Sequence, residues 1–134
     1  VDRGDLHVTL VHCKYSSKPQ AGSRLADLYE VCGQAMRGAR WRDNAALPLL
    51  DHLDRRAAYY KRRIGGSAFE IGDREVLFRI RQQAPLLFPR FTTIIAQPGL
   101  SIRSSSEEQL RLIAGAASYV QTVTKGGFEV YGSV

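Results

Sequence analysis

Hydrophobic and polar residues follow a strand pattern near the start of the chain and helical patterns through most of the rest. Residues 6–15 (LHVTLVHCKY) are rich in β-branched and apolar side chains, which predicts a strand. The alternate positions that share one face are Leu6, Val8, Leu10, His12 and Lys14. Val11 and Cys13 make the other face apolar as well, so we expect a central strand covered on both faces.

Further along, apolar residues at helical spacing predict four helices. These begin at Ser23, at Asn44 (with Pro48 in the first turn), at Asp73, and at a capping box of Ser105 and Glu108. Residues 91–97 (FTTIIAQ) and 128–131 (FEVY) predict two more strands. The order of elements predicts an α/β fold with a mixed central β-sheet flanked by helices.

Length and composition favour a single globular domain, residues 1–134. The chain is 44% hydrophobic and 24% charged, as globular domains are. It contains no apolar run of the roughly 20 residues that span a bilayer. Cys13 and Cys32 lack metal-binding spacing and favour a reducing compartment. Because the sequence begins with Val1, we expect a fragment of a longer protein. The cysteines and the lack of a spanning run favour a soluble cytoplasmic protein with no membrane partner.

The polar end of the first strand carries the candidate chemistry. His12 and Lys14 lie two residues apart, so their side chains project from the same face while Cys13 points away. Metal-assisted cleavage of a phosphodiester needs a group that holds a divalent cation and an ammonium that orients or activates water beside the phosphate. His12 and Lys14 are therefore candidate catalytic residues, with His12 as a candidate metal ligand.

These residues give the chain a resemblance to the PD-(D/E)XK nuclease superfamily. The motif of that family ends a core strand with an acid, any residue and a lysine, so His12-Cys13-Lys14 resembles an HxK variant. The segments HVTLVHCKYSS and DLYEVCGQA (27–35), with Trp41, are similar to nuclease domains fused to large bacterial helicase-like proteins. Weaker likeness lies in IIAQPGLS (94–101) and the final helix and strand.

The resemblance implies further properties of the chain. It implies a restriction-endonuclease-like fold, Mg or Mn as cofactor, DNA as substrate and a helicase or ATPase domain in the same parent chain. It also implies that Gln34, on the helix after the motif strand, supports the active site. Asp27 and Gln34 fall at helical spacing, which places them along one edge of that helix.

Two departures from the family motif bear on activity. His12 replaces the usual acid, and imidazole suits Mn, Zn or Fe better than Mg. The family also has an aspartate on a preceding strand. Asp5 lies seven residues before His12, a separation of about 23 Å along a straight strand, and Asp2 is no better placed. We therefore expect the core to be truncated at its first strand and the metal-binding aspartate to precede Val1.

Basic residues provide candidate contacts to a DNA backbone. The formal net charge is +6, and clustered cations bind phosphates through release of counterions. The candidate DNA-binding residues are Arg37, Arg40, Arg42, Lys61, Arg62 and Arg63. A solvated helix end would carry the same residues, so that interpretation stays open beside the first. Trp41 fits packing against the sheet better than stacking on a base.

Three functions remain open from the sequence. The first is a divalent-metal-dependent DNA endonuclease within a helicase-like or restriction/defence protein. The second is a catalytically inactive nuclease fold that holds DNA for a fused motor domain. The third is a protein interaction domain, which would leave the HxK strand and the basic charge unexplained. Motifs for nucleotide binding, serine hydrolases or zinc peptidases are absent, and no organic cofactor is expected.

Overall fold

The computed structural model describes residues 4–16, 18 and 20–134. Within these ranges four helices and three strands form the framework. The strands are β1 (Asp5–Cys13), β2 (Phe88–Ser101) and β3 (Gly127–Ser133). The helices are α1 (Ala26–Gly38), α2 (Leu47–Ile64), α3 (Arg74–Gln83) and α4 (Glu107–Thr124). Short 3₁₀ turns occupy Ala39–Arg42, Asn44–Ala46 and Ala84–Leu86.

The three strands form one sheet in the order β1-β2-β3. Strands β2 and β3 pair in parallel, with Ile95 opposite Val130. At opposite ends of β1, the Phe88 N–H donates to the Gly4 carbonyl and the Lys14 N–H donates to the Ala96 carbonyl, each at 3.2 Å. Strand β1 is therefore also parallel to β2. The predicted α/β class is confirmed, while the strands of the described residues form a parallel sheet where a mixed one was expected.

Strand β1 lies at an edge of this sheet, and one of its faces is open to solvent. Exposed and half-buried residues alternate along its whole length, and Val11 on the open face is 56% exposed. The prediction of a central strand covered on both faces is therefore wrong. The apolar residues on the second face do not mark a buried surface. The predicted common face of His12 and Lys14 is confirmed, since both are half-buried and Cys13 between them is exposed.

The described chain divides into two compact units, each with its own core. The sheet unit comprises residues 7–40 and 90–134, and the helical unit comprises residues 4–6 and 41–89. In the sheet unit, α1 and α4 pack together over Ile95, Phe128 and Val130. In the helical unit, Leu50 and Leu77 form a core with Ala84. The prediction of a single domain over residues 1–134 stays a prediction.

The helix boundaries match the sequence pattern where a single capping residue decides them. The Asp73 carboxylate accepts a hydrogen bond from the Val76 N–H at 2.9 Å and starts α3 as predicted. Gly65, at a φ of 80°, ends α2 after the predicted basic turn. This left-handed conformation favours glycine because it lacks a Cβ atom. None of the helices in the described ranges is long and apolar enough to cross a bilayer.

Three predicted helix starts are displaced. The capping box is formed by Ser106 and Gln109, because the Ser105 hydroxyl instead donates to the Ser101 carbonyl at 2.6 Å. Asn44 lies in a 3₁₀ turn with positive φ, so α2 begins at Leu47 and its first turn contains Pro48 as expected. Helix α1 starts after Leu25, without a side-chain cap, and not at Ser23. Competing polar residues nearby make such starts ambiguous from sequence.

The reactivity of the two cysteines tests which side of β1 is open to solvent and which side of α1 is buried. Cys13 is exposed, whereas Cys32 is fully buried and its burial raises the pKa of its thiol to about 11. Since the thiolate is the reactive form, we expect iodoacetamide at neutral pH to modify one thiol of the folded chain. Mass spectrometry should show that Cys13→Ser abolishes this reaction and that Cys32→Ser leaves it intact. Rapid modification of both thiols would contradict the described packing of α1.

Candidate functional site

The rotation of α1 about its axis is fixed by its buried residues. Leu28, Val31, Cys32 and Ala35 are at most 1% exposed and pack in the core of the sheet unit. This stripe leaves a polar edge of the helix composed of Asp27, Glu30 and Gln34. Residues three and four apart are neighbours on a helix surface. The same packing that buries the stripe therefore brings the polar edge to the carboxyl end of β1.

Lys14 and Glu30 form an ion pair at that end of the strand. The Lys14 Nζ atom lies 2.7 Å from Glu30 Oε2. The hydrogen bond and charge of Glu30 raise the pKa of the Lys14 ammonium, with a smaller contribution from the charge of Asp27. The side chains of Lys14 and Glu30 are 31% and 50% exposed, so solvent screens the pair and its contribution to the stability of the fold is small. Its main effect is to hold the Lys14 ammonium in one place.

Gln34 joins this pair through the same carboxylate. Its Nε2 atom donates to Glu30 Oε1 at a long distance of 3.5 Å. We call Lys14, Glu30 and Gln34 the Lys14 cluster. The structure thus brings together two residues predicted from sequence and adds Glu30 between them. The signal for Glu30 was present in the sequence as an acid one helical turn before Gln34. Its direct contact with Lys14 could not be predicted from sequence, because the contact depends on how α1 packs against the sheet.

The His12 ring packs against α1 where the helix backbone at Gly38 comes close to it. A Cβ atom at position 38 would lie 3.0 Å from His12 Nε2, so Gly38 makes room for the imidazole ring. The Nε2 atom is buried without a hydrogen-bond partner among the described residues. Burial, with a further contribution from the positive charge of Arg37, lowers the pKa of His12. The imidazole is therefore neutral at pH 7, and its Nε2 atom is not accessible to a metal ion in this conformation.

Gln97 is a polar residue of β2 that is not among the candidate site residues predicted from sequence. The hydrogen bond from the Lys14 N–H to the Ala96 carbonyl places the Lys14 backbone against the peptide bond that precedes Gln97. Gln97 is 2% exposed, and its Oε1 atom accepts from the Gly99 N–H at 2.8 Å. Its Nε2 atom is buried without a described partner. The sequence could have drawn attention to Gln97, because it ends the apolar FTTIIAQ run of a predicted strand. A buried amide in such a strand usually needs hydrogen-bond partners.

The described residues do not form a complete metal site. No group of three or more histidine, cysteine, aspartate or glutamate side chains in these ranges is arranged to hold an ion. Asp5 begins β1 and His12 lies near its other end, as the sequence analysis expected. Asp2 lies outside the described residues. Binding of a metal by His12 stays a prediction, and a cation here would need further ligands.

The six predicted DNA-binding residues are distributed over both units. Arg37 and Arg40 belong to the sheet unit, where they line a shallow depression of about 370 Å³ with Gly33, Met36 and Tyr119. Arg42 belongs to the helical unit and is half-buried, with its Nε atom inaccessible to solvent. Lys61, Arg62 and Arg63 are exposed in the last turn of α2. The exposed members are better placed for phosphate contacts than Arg42 is.

Trp41 packs within the helical unit. Its indole ring lies 5.2 Å from the imidazole of His52, with the two planes 30° apart. The expectation that Trp41 packs against the sheet stays a prediction, and the contact with His52 of α2 is additional to it. His52 has a packing partner that the sequence analysis did not foresee. Comparison of the chain with protein-family models, curated proteins and solved structures finds no match.

The buried imidazole makes stability depend on pH. His12 has a pKa near 6.5 when unfolded and a lower one when folded, so unfolding takes up a proton as the pH falls below about 6.5. We expect the free energy of unfolding, measured with urea, to fall between pH 7.5 and pH 5.5. His12→Leu should reduce this dependence, while His7→Leu, on the open face of β1, should retain it. An unchanged pH dependence in His12→Leu would contradict the assignment.

Proposed function

We propose that this chain is a DNA nuclease domain of the restriction-endonuclease-like class, which hydrolyses phosphodiester bonds at the Lys14 cluster. The observation that carries the proposal is the ammonium of Lys14 at a strand end, held 2.7 Å from the Glu30 carboxylate. Gln34 contacts the same carboxylate from the next helical turn. The resemblance of the HxK strand and the following helix to nuclease domains supports the same proposal.

Lys14 acts in this proposal as a cation and not as a base. Because Glu30 raises the pKa of Lys14 above its ordinary value, the side chain stays an ammonium at neutral and mildly alkaline pH. An ammonium beside a phosphodiester stabilises the negative charge that develops on its oxygens during cleavage. It also donates a hydrogen bond that orients an attacking water. Glu30 positions the ammonium for both roles.

Mg or Mn belongs to the proposal as a cofactor that needs ligands beyond those described. The neutral imidazole of His12 is in the protonation state that a metal ligand requires, but its Nε2 atom is buried. An acidic residue before Val1, as the family motif implies, would supply the missing carboxylate. The proposal includes a parent protein of the helicase-like or restriction/defence type. It also assigns phosphate contacts to the exposed residues Arg37, Arg40, Lys61, Arg62 and Arg63.

A second candidate function is a nuclease-fold module that binds DNA without cutting it. The observation that favours it is the lack of a three-residue metal group among the described side chains. In that case Lys14 would contribute one phosphate contact among several. Phosphate contacts position a protein on DNA without chemistry. Cleavage and binding assays on the same variants separate the two functions.

Replacement of Lys14 tests the nuclease proposal directly. We expect plasmid and single-stranded DNA to be cut with Mn or Mg, and the cut to disappear in Lys14→Ala. Loss of one charge-stabilising donor typically slows catalysis by about 10²–10³-fold. The assay should use this chain and, in parallel, a chain that includes the residues preceding Val1 in the parent protein. Gel electrophoresis over a time course measures the rate.

The matched control is Lys18→Ala, which removes an exposed lysine four residues away. This variant should cut DNA at the wild-type rate and bind it with similar affinity. Cleavage that persists in Lys14→Ala would reject the assigned role of Lys14. DNA binding without cleavage by either chain, with either metal, would establish the second candidate function in place of the first.

A further inference from the structure

The outer side of α2 alternates basic and aromatic side chains at helical spacing. Arg55, Tyr59 and Arg63 follow one another at intervals of four residues, and Arg56 and Tyr60 form a parallel row beside them. Residues four apart on a helix lie on one face, about 6 Å apart along its axis. All five residues are exposed. We call this set the basic-aromatic face.

The aromatic rings of this face are available to a ligand. Tyr59 is 57% exposed and Tyr60 is 38% exposed. The guanidinium of Arg63 lies 5.7 Å from the centre of the Tyr59 ring, which is within the range of a cation–π contact. Tyrosine rings offer large, flat stacking surfaces at a low cost in conformational entropy. The hydroxyl group of each ring can remain in water.

The face opens into a groove within the helical unit. The groove has a volume of about 930 Å³, with α2 on one side and residues 67–70 on the other. Arg55, Arg56, Tyr59 and Tyr60 line the α2 side, and Phe69 adds an apolar surface opposite them. A cleft of this size accommodates planar groups inserted beside the rings. The arrangement combines a row of cations with aromatic surfaces.

The charge of α2 selects an anionic ligand. Positions 55–63 carry five cations and no acid. The acids in the first half of α2, Asp51 and Asp54, are occupied by ion pairs to Arg81 and Arg74 of α3. Glu70 is the acid that lines the groove. The basic-aromatic face therefore presents a positive potential that attracts a chain of phosphates.

We propose that the basic-aromatic face binds single-stranded DNA, with the arginines on the phosphates and the bases stacked on Tyr59 and Tyr60. Unpaired bases expose their rings for stacking, whereas the bases of a duplex are already stacked on one another. The choice of DNA over RNA rests on the proposed nuclease function, but the binding itself does not involve the Lys14 cluster. The face would hold a single strand of an opened or branched substrate.

Fluorescence anisotropy with labelled oligothymidylate, in EDTA so that no cleavage occurs, tests this proposal. Removal of one stacking ring typically costs between about fivefold and about 150-fold in affinity. We expect a loss in this range for Tyr59→Ala and for Tyr60→Ala. Tyr59→Phe and Tyr60→Phe should bind as the wild type does, since the ring is retained. A hairpin duplex of equal nucleotide count should bind more weakly than the single strand and respond little to the alanine variants.

The control is Tyr131→Ala, which removes an exposed tyrosine of β3 in the sheet unit. It should leave the affinity for oligothymidylate unchanged. Unchanged affinity in Tyr59→Ala and Tyr60→Ala would overturn the proposal. Equal losses for single strand and duplex would also overturn it, in favour of a general contact for polyanions. Binding measured in EDTA does not depend on Lys14, so failure of this proposal and failure of the nuclease proposal give different results.

Discussion

The packing of α1 against the sheet unit determines where the candidate chemistry lies. Four apolar side chains of α1 are buried at once, and burial of a Leu or Val side chain is worth about 1.5–3 kcal/mol. The helix cannot rotate by one residue without exposing this stripe. Asp27, Glu30 and Gln34 are therefore held along the edge that faces the end of β1. Gly38 fixes the contact between α1 and β1 at the carboxyl end of the helix. Because it has no side chain, the His12 ring can lie against the helix backbone there.

This constraint explains which parts of the site were predictable from sequence. The shared face of His12 and Lys14 follows from the two-residue period of a strand, and Gln34 was selected through a resemblance. Glu30 and Gln97 were not selected, because their relation to Lys14 depends on contacts between elements distant in sequence. The open face of β1 was missed for a similar reason. Val11 and Cys13 are apolar, but sequence alone does not tell whether another layer covers them.

The same distinction applies to the fold. A single decisive residue, such as Asp73 or Gly65, located its helix end correctly. A run of competing polar residues, such as Ser104 to Ser106, displaced the predicted cap by one position. The prediction of a mixed sheet was wrong, although the predicted helices between the strands are the connections that a parallel sheet requires. The division of residues 4–6 and 41–89 from the sheet unit likewise reflects contacts that composition does not reveal.

Two different roles are proposed for the basic residues of the chain. In the sheet unit the Lys14 ammonium is held by the Glu30 carboxylate, and the proposed cleavage depends on the position of this ammonium. In the helical unit, the three arginines and two tyrosines of the basic-aromatic face form a surface whose proposed role is attraction and stacking. A fixed charge suits catalysis because its position is set before the reaction starts. An extended row of cations suits binding along a backbone.

The role of Glu30 in holding Lys14 is best tested by the rate of DNA cleavage by Glu30→Gln, measured together with the stability of this variant. This substitution keeps the size of the side chain and removes the charge that holds Lys14. We expect a loss of about tenfold to about hundredfold in rate, with little change in the free energy of unfolding because the pair is exposed. Glu107→Gln, which breaks the exposed ion pair with Arg111, should leave the rate unchanged. A wild-type rate in Glu30→Gln would contradict the account.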